Sequence, residues 1–552
     1  MKTVAWHCVC KFAMCYTITL FGTLFSIFTM RSAANTAAVV DTVTTVGMNA
    51  DQTRVFDELR RFIREPSGQR VLKGYAGTGK TWLLVQVVMW ASSQGIKTAV
   101  CAPTHKAVAV IREKLDVAPT REGKNTGPAA VWTGTLHALL GLRLKEDRLG
   151  SYRVEIDRNH DNEYFENYQL VVIDESSMVG DTLLDHIHAA QQRGDVRVLY
   201  VGDPGQLLPV EDPPNRGTDA GSLLARLPPV FETVPRQHTL NEIVRQKATG
   251  RPHPIAQFAQ VIRAYIEGGQ RGLFTPEGIL DYVSQHSDSL AGRVRIASVS
   301  DIGTGLVKLR RARPHADIRA VAWRNRVVDQ HNAFVHRELA DLYASSKVRN
   351  DAPFWPGETI IAREMLHAFP AGCGSHWRGA SFWEGMLSPR EEKSSRQNKD
   401  KTNGGFKPVL IQNNTEMAVI ECRAMDHPYL QIPSWRILTS TPEHGKVEFY
   451  IADDAAEHNR IKTSTWGNYR KQKNPILRKE EFGRAWTVTR ACAPVMHAYA
   501  MTAHKSQGST FYCSIVDVLD LYGMVKVSGA EAYHRALYVA VTRASDYVRL
   551  CI

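Results

Sequence analysis

The sequence predicts an α/β protein in which parallel sheets form at least two domains, and three observations carry that expectation. Apolar runs suited to buried strands recur at 71–73, 98–103, 169–173 and 196–201, and each breaks into polar or glycine-rich residues at its carboxyl end. Continuous apolar strands separated by helix-grade segments mark a sheet covered on both faces. The first junction reads Gly74-Tyr75-Ala76-Gly77-Thr78-Gly79-Lys80-Thr81 and leads into a helical stretch to about Gln94, the strand, loop and helix context of a phosphate-binding loop. Finally, 552 residues exceed one core, and about 150 residues per domain gives three or four.

Residues 1–47 stand apart as an apolar extension. From Phe12 to Met30 no residue is charged, with Lys2 and Lys11 before the run and Arg31 after it. The run is long enough to span a bilayer and also has the form of a signal sequence. Secretion conflicts with a phosphate loop, which needs a compartment that supplies nucleotide. Three readings stand: a membrane anchor, an organelle presequence, or an extension upstream of initiation at Met30 or Met48, the last being preferred. The expected location is cytoplasmic, with membrane contact only if the apolar run is a real anchor.

The globular part starts at Met48 with an amphipathic helix from Gln52 to about Arg64. The Gln52 amide can bond an adenine edge on both donor and acceptor sides, although a solvated helix start explains it equally well. In the loop, Gly74, Gly77 and Gly79 let backbone N–H groups converge, and the helix N-terminus adds positive potential. Thr78 completes the cradle, Lys80 reaches the terminal phosphates, and Thr81 offers a hydroxyl to Mg²⁺. The loop alone establishes only a nucleoside triphosphate site.

The strand at 98–103 ends in Thr104-His105-Lys106, at the sheet edge where ligands bind; these residues either cap a helix or contact a phosphate backbone. Gly134-Thr135-Leu136-His137 follows, and then two alternating arms around Lys145–Gly150 predict a β-hairpin over 142–156, within an insertion over 142–168. Such a hairpin either separates strands or is a surface loop. The strand at 169–173 delivers Asp174 and Glu175, suited to holding Mg²⁺ and to polarising an attacking water. The strand at 196–201 delivers Gly202-Asp203-Pro204-Gly205-Gln206, with Gln206 placed to sense the γ-phosphate.

The formal charge of +12 fits a polyanionic partner. Nine cysteines without C-x-x-C pairs or histidines at zinc spacing argue against a disulfide framework and a structural zinc, leaving Mg²⁺ as the one expected metal.

The order of these motifs resembles that of the superfamily 1 DNA helicases, and most of all the RecD-like and Dda-like branch that moves 5′ to 3′. Later segments extend the resemblance: Leu240-Asn241-Glu242-Ile243-Val244-Arg245-Gln246, the run from Ala498 through Thr502, His504 and Lys505 to Thr510, and Arg535-Ala536-Leu537-Tyr538 through Thr542-Arg543-Ala544. It implies two RecA-like P-loop NTPase motor domains, at 48–228 and at 229–349 with 491–552. It also implies an SH3-like β-barrel inserted at 350–490, in which 388–407 reads as a mobile loop. ATP and Mg²⁺ are the implied cofactors, with Lys80, Asp174, Glu175, Gln206, Arg245 and Arg543 as catalytic groups and Gln52, Gly74, Gly77, Thr78, Gly79, Lys80 and Thr81 around the nucleotide. Thr81 and Asp174 are the implied Mg²⁺ ligands. Thr104, His105, Lys106, Thr135, His137, Thr502, His504 and Lys505 are the implied DNA contacts. The expected activity is ATP-dependent translocation on single-stranded DNA with unwinding of duplex by a monomer, and replication or repair proteins are the expected partners. A translocase that strips proteins without unwinding shares every motif. A non-catalytic adaptor subunit is the remaining alternative, and it is expected to lack groups such as Glu175, Arg245 or Arg543.

Overall fold

The computed structural model describes residues 47–115, 131–146, 152–156, 164–209, 227–242, 253–268, 270, 272–343, 351–372, 383, 408–441 and 443–552. The apolar run 12–30, Arg245 and the loop 388–407 lie outside the described residues. Among the described residues no helix is long and apolar enough to cross a membrane.

The chain divides into two compact units, Met1–Arg54 and Val55–Ile552. The first contains the start of the helix Ala50–Ile63, with a reciprocal cap: Gln52 N–H donates to Asn49 Oδ1 at 2.7 Å, and Asn49 N–H donates to Gln52 Oε1 at 3.2 Å. Two helix-start donors are satisfied in this way.

The second unit begins its strands with β1 (Gly68–Gly74), β2 (Thr98–Ala102), β3 (Trp132–Thr135), β4 (Leu142–Glu146), β5 (Tyr152–Ile156), β6 (Leu170–Ile173), β7 (Arg197–Gly202) and β8 (Gln237–Leu240). Six of them form one parallel sheet in the order β3-β2-β6-β7-β1-β8, while β4 and β5 pair antiparallel with Leu142 opposite Ile156. Strands β2 and β6 are buried at every position, as their unbroken apolar runs require. The domain boundary expected at 228 is wrong for this sheet. Val230, Phe231 and Val234 pack in the first core, and β8 adds to the edge of β1 with His238 opposite Leu72. The four residues of β8, Gln-His-Thr-Leu, carry no apolar run that announces a strand.

Beyond it come β9 (Val294–Ala297) and β10 (Ile318–Ala322), then β11 (Thr359–Ala362), β12 (Leu366–Pro370), β13 (Val409–Ile411), β14 (Glu416–Asp426), β15 (Pro433–Thr441), β16 (Gly445–Ala452) and β17 (Val495–His497), and last β18 (Ala500–Thr502), β19 (Phe511–Asp517) and β20 (Ala544–Cys551). A second parallel sheet has the order β18-β10-β19-β20-β9. Helices Pro254–Ile266 and Val525–Thr542 share its core, the latter broken at Gly529 where φ is 87°. The remaining seven strands form an antiparallel sheet, β13-β12-β16-β15-β14-β11-β17.

Two corrections follow for the insertion. Among the described residues its strand order ends at β13 and β17 without closing, and β17 carries the sheet past the boundary expected at 490. The stretch before β17 is helical, Ala455–Lys471 and Pro475–Ala491, pinned by Trp466 edge-on to Trp486 at 5.3 Å and by Trp466 Nε1–H donating to Thr489 Oγ1 at 3.1 Å. The signals were present as caps: Asp454 accepts from Ala456 N–H, and Asn474 precedes Pro475 at the first helical position.

Candidate nucleotide and nucleic-acid site

The phosphate-binding loop leaves the carboxyl end of β1 and enters helix Lys80–Ser93 through Gly79, which sits at φ 81°, a left-handed conformation costly for a residue with a Cβ. Gly74 is required by space: a Cβ there would stand 2.6 Å from Thr78 Oγ1 and 3.2 Å from Leu240 Cβ. Thr78 Oγ1–H donates to Tyr75 O at 2.9 Å, and Lys80 Nζ donates to Gly74 O at 2.5 Å and Tyr75 O at 3.1 Å. These bonds hold the loop curled around its lysine. Thr81 follows Lys80 in the first helical turn, partly buried.

Asp174 and Glu175 follow β6, beside the loop. Burial first, and then the neighbouring Glu175, push the Asp174 carboxyl up to about 7, against the pull of Lys80. Glu175 holds φ at 51°, a left-handed backbone that a glutamate adopts only under constraint. Its N–H donates to Asp174 Oδ1 at 2.9 Å, which fixes the pair's relative orientation.

The second parallel sheet closes on this site through helix Val525–Thr542. Tyr538 accepts the Ala76 N–H at 3.2 Å and donates to Asp203 Oδ2 at 2.9 Å. One turn earlier Arg535 donates to Pro204 O at 2.5 Å and Gln206 O at 2.8 Å while bonding Glu531 Oε1. Tyr75 is gripped as well: its hydroxyl bonds Glu267, and the Arg263 guanidinium lies 3.6 Å from its ring centroid. The sequence reading missed Asp203, Arg535, Tyr538, Tyr75, Arg263 and Glu267 as residues of this junction. A pattern reports which residues end a strand, but not which side chains meet across two domains.

Several buried polar atoms stand without partners among the described residues, and the donors among them, on Arg543, Gln507 and Ser509, suit an anionic occupant. Arg543 is buried, its Nη1 donates to Ser509 O at 3.3 Å, and its Nε has no partner among the described residues. Gln206 Oε1, Gln507 Nε2 and Ser509 Oγ are likewise buried without partners there. A buried unpaired guanidinium N–H costs several kcal/mol unless it meets an acceptor, roughly the 3–5 kcal/mol range for a broken buried ion pair.

The residues expected on nucleic acid lie at the far edge of both sheets. Thr104 caps helix His105–Leu115 through Ala107 N–H at 3.3 Å, Thr135 caps the turn after β3 through Ala138 N–H at 3.2 Å, and Thr502 caps the turn after β18 through Lys505 N–H at 3.3 Å. Capping uses an oxygen lone pair and leaves each O–H free to donate to a phosphate. β2 and β3 stand at one end of the first sheet's strand order, and β10 and β18 at one end of the second's. Burial, first among the causes in each case, lowers the affinity of His105, His137 and His504 for a proton, although His137 keeps surface exposed on its short helix. Burial and then Arg363 lower that of Lys505. Lys106 is engaged: its Nζ lies 2.6 Å from Glu416 Oε1, and Arg319 grips both oxygens of the same carboxylate at 3.0 and 2.7 Å. Gln52 belongs to the first compact unit, where its side-chain oxygen serves the helix cap.

Two parallel sheets thus meet at a phosphate-binding loop. Residues 47–264 match the family model described as an AAA domain, and 497–551 match the UvrD-like helicase C-terminal domain. The ATP-dependent RecD2 DNA helicase of Deinococcus radiodurans is 34% identical over 215 residues, 39% of this chain and 23% of that protein. The match therefore spans about a quarter of that relative's length. An uncharacterised protein of Acanthamoeba polyphaga mimivirus is 21% identical over 90% of this chain and 98% of its own. Among solved structures, the Pif1 helicase from Candida albicans aligns at TM-score 0.42 and 16% identity, over 91% of this chain and 94% of that one. A Bacteroides Pif1 helicase in complex with ADP-AlF3 and single-stranded DNA aligns at TM-score 0.42 and 15% identity, over 91% and 92%. The two family matches fall one toward each end of the chain, in the order in which the motifs occur.

Proposed function

We propose that the chain is an ATP-dependent DNA helicase that translocates 5′ to 3′ on single-stranded DNA and unwinds duplex. The observation that carries the coupling is Tyr538: one hydroxyl from the second motor domain bonds both the phosphate loop, at Ala76, and Asp203. Opening or closing the cleft between the sheets cannot leave the nucleotide site unchanged. Lys80 neutralises the terminal phosphates, Glu175 orients the attacking water, Gln206 reports the γ-phosphate, and Arg543, with Arg245, stabilises the charge that spreads in the transition state.

Mg²⁺ fits the residues present. The Asp174 carboxyl is buried and short of positive charge, as its raised proton affinity records, and Thr81 supplies a neutral oxygen at the loop. These two residues are the proposed ligands, and the ion would neutralise the phosphates they face. Gln52 is proposed on the adenine. Thr104, His105, Lys106, Thr135, His137, Thr502, His504 and Lys505 are proposed along a single strand, held through its backbone and therefore without sequence preference. The β4–β5 pair is proposed as the wedge between duplex strands, and the antiparallel insertion as an SH3-like wall of the DNA channel. A monomer in an ATP-supplied compartment such as the cytoplasm, serving replication or repair proteins, completes the reading.

The test is ATP hydrolysis with and without single-stranded DNA, beside unwinding of duplexes carrying a 5′ or a 3′ tail. Stimulated hydrolysis with unwinding from the 5′ tail alone is expected. Stimulation without unwinding from either tail replaces this reading with a protein-stripping translocase, and no stimulation replaces it with an adaptor.

A further inference from the structure

A cluster outside the residues assigned to nucleotide and nucleic acid has the chemistry of a metal centre. His336 lies on helix Asn325–Glu338 of the second motor domain, Glu358 stands just before β11, and His497 ends β17 opposite Ile360. Their ligand atoms all lie within 4.8 Å of one another. The Glu358 side chain is fully buried; its Oε1 lies 2.6 Å from His497 Nδ1 and 3.4 Å from His336 Nδ1, and its Oε2 accepts Trp355 N–H at 2.8 Å.

The hydrogen bonds around the cluster orient the His336 ring toward the carboxylate. His336 Nε2 lies 3.2 Å from Ala352 O, and a carbonyl can only accept, so Nε2 carries the hydrogen. In the neutral ring Nδ1 is then a bare acceptor, and it faces a carboxylate oxygen, which is another. Among the described residues the same Nδ1 has no partner that meets hydrogen-bond geometry, Glu358 Oε1 lying 3.4 Å away. A ring fixed by an outer carbonyl, with its other nitrogen turned to a carboxylate, is how proteins prepare a histidine for a metal. Zinc bonds of roughly 2.0–2.2 Å at tetrahedral angles set ligand atoms about 3.3 Å apart. The His336–Glu358 distance of 3.4 Å already meets that, the His497–Glu358 contact needs to open by well under 1 Å with the His497 Nδ1 proton leaving to solvent, and the two histidines, within 4.8 Å, need to draw together by up to about 1.5 Å.

The surroundings suit a structural ion. Trp355 stacks on His336 with centroids 5.0 Å apart, and Phe354 stands edge-on to His497 at 4.7 Å, so the site has an apolar wall. Glu358 lies where the chain enters the antiparallel insertion and His497 where it leaves, while His336 belongs to the motor domain beneath. We propose that His336, Glu358 and His497 bind one borderline divalent cation of the zinc class, which staples both ends of the insertion to the second motor domain. The expectation that Mg²⁺ is the one metal rested on cysteine spacing and close histidine pairs, and these three ligands are scattered from 336 to 497.

The test uses the untagged full chain, stripped with a chelator, desalted and then offered Zn²⁺ or Co²⁺. One Zn²⁺ retained per chain by elemental analysis is expected, with a visible ligand-field band for Co²⁺ and a higher unfolding temperature with either ion. The double variant His336→Ala/His497→Ala should lose the ion and the band while still hydrolysing ATP. Glu358→Gln keeps the shape and the bond to Trp355 but removes the charge, so it decides the matter if the double variant does not fold; it should lose affinity at least tenfold. No retained metal in the wild type, or wild-type retention by either variant, overturns the proposal.

Discussion

Tyr538 spans the junction between the two parallel sheets, accepting the Ala76 N–H at 3.2 Å while donating to Asp203 Oδ2 at 2.9 Å. Burial and the Asp203 charge push its hydroxyl far above the ordinary phenol range, so it stays protonated and serves only as a hydrogen-bond bridge. Tyr538→Phe keeps the ring and removes both bonds. A hydrogen bond to a charged group contributes about 1.5–3 kcal/mol, so DNA-stimulated hydrolysis should fall about tenfold or more while nucleotide affinity changes little. Steady-state kinetics with and without single-stranded DNA check this, and an unchanged stimulated rate removes Tyr538 from the coupling.

Glu416 joins three parts of the chain: it sits at the start of β14, accepts Lys106 from the first motor domain at 2.6 Å, and is clasped by Arg319 of β10. Burial raises its carboxyl, but Arg319 and then Lys106 outweigh burial and bring it down to about 2. A carboxylate depressed from its unfolded value of 4.5 to about 2 stabilises the folded chain at and above pH 4.5, and that contribution is lost as pH falls toward 2. Glu416→Gln should therefore lower stability by roughly 2 kcal/mol or more at pH 7 and flatten the acid side of the stability profile. It should also release Lys106 and tighten single-stranded DNA binding. Denaturant melts at pH 7 and pH 3, with a DNA titration, read all three effects.

How much of this was legible in the sequence depends on range. Strands β2, β6 and β7 and the loop at Lys80 announce themselves because each is a local pattern, an apolar run breaking into a turn. β8 does not, because a four-residue edge strand is defined by its partner β1 rather than by its own residues. Helices Ala455–Lys471 and Pro475–Ala491 bury few residues and are highly charged, so apolar periodicity was weak and only their caps marked them. The Tyr538–Asp203 bridge and the Glu416 clasp join residues hundreds of positions and about a hundred positions apart, and no local rule reaches across them.

His504 and Lys505, both proposed on DNA, differ in the kind of contact they can offer. Burial keeps the His504 imidazole neutral near pH 7, so it can offer a hydrogen bond but no charge, whereas Lys505 loses only part of its proton affinity and remains a cation. Lys505→Ala should weaken single-stranded DNA binding and reduce the logarithmic salt slope by about 0.7. His504→Ala should weaken binding with the slope unchanged. Fluorescence anisotropy across a salt series distinguishes them, and equal slopes for the two variants defeat the distinction.

The backbone of Glu175 gives a test in which stability and turnover move in opposite directions. At φ 51° and ψ 40° a residue with a Cβ stores roughly 1–2 kcal/mol. Glycine at that position removes the strain but adds unfolded-state entropy, leaving a net gain of about 1 kcal/mol. Glu175→Gly and Glu175→Gln both remove the carboxylate proposed to orient water, and both should drop hydrolysis at least a hundredfold, as Lys80→Ala should by removing the charge proposed on the phosphates. Only the glycine variant relieves the turn. It should therefore unfold at higher denaturant than Glu175→Gln by about 1 kcal/mol at equal m-value, and equal midpoints for the two would show that the left-handed turn holds no strain.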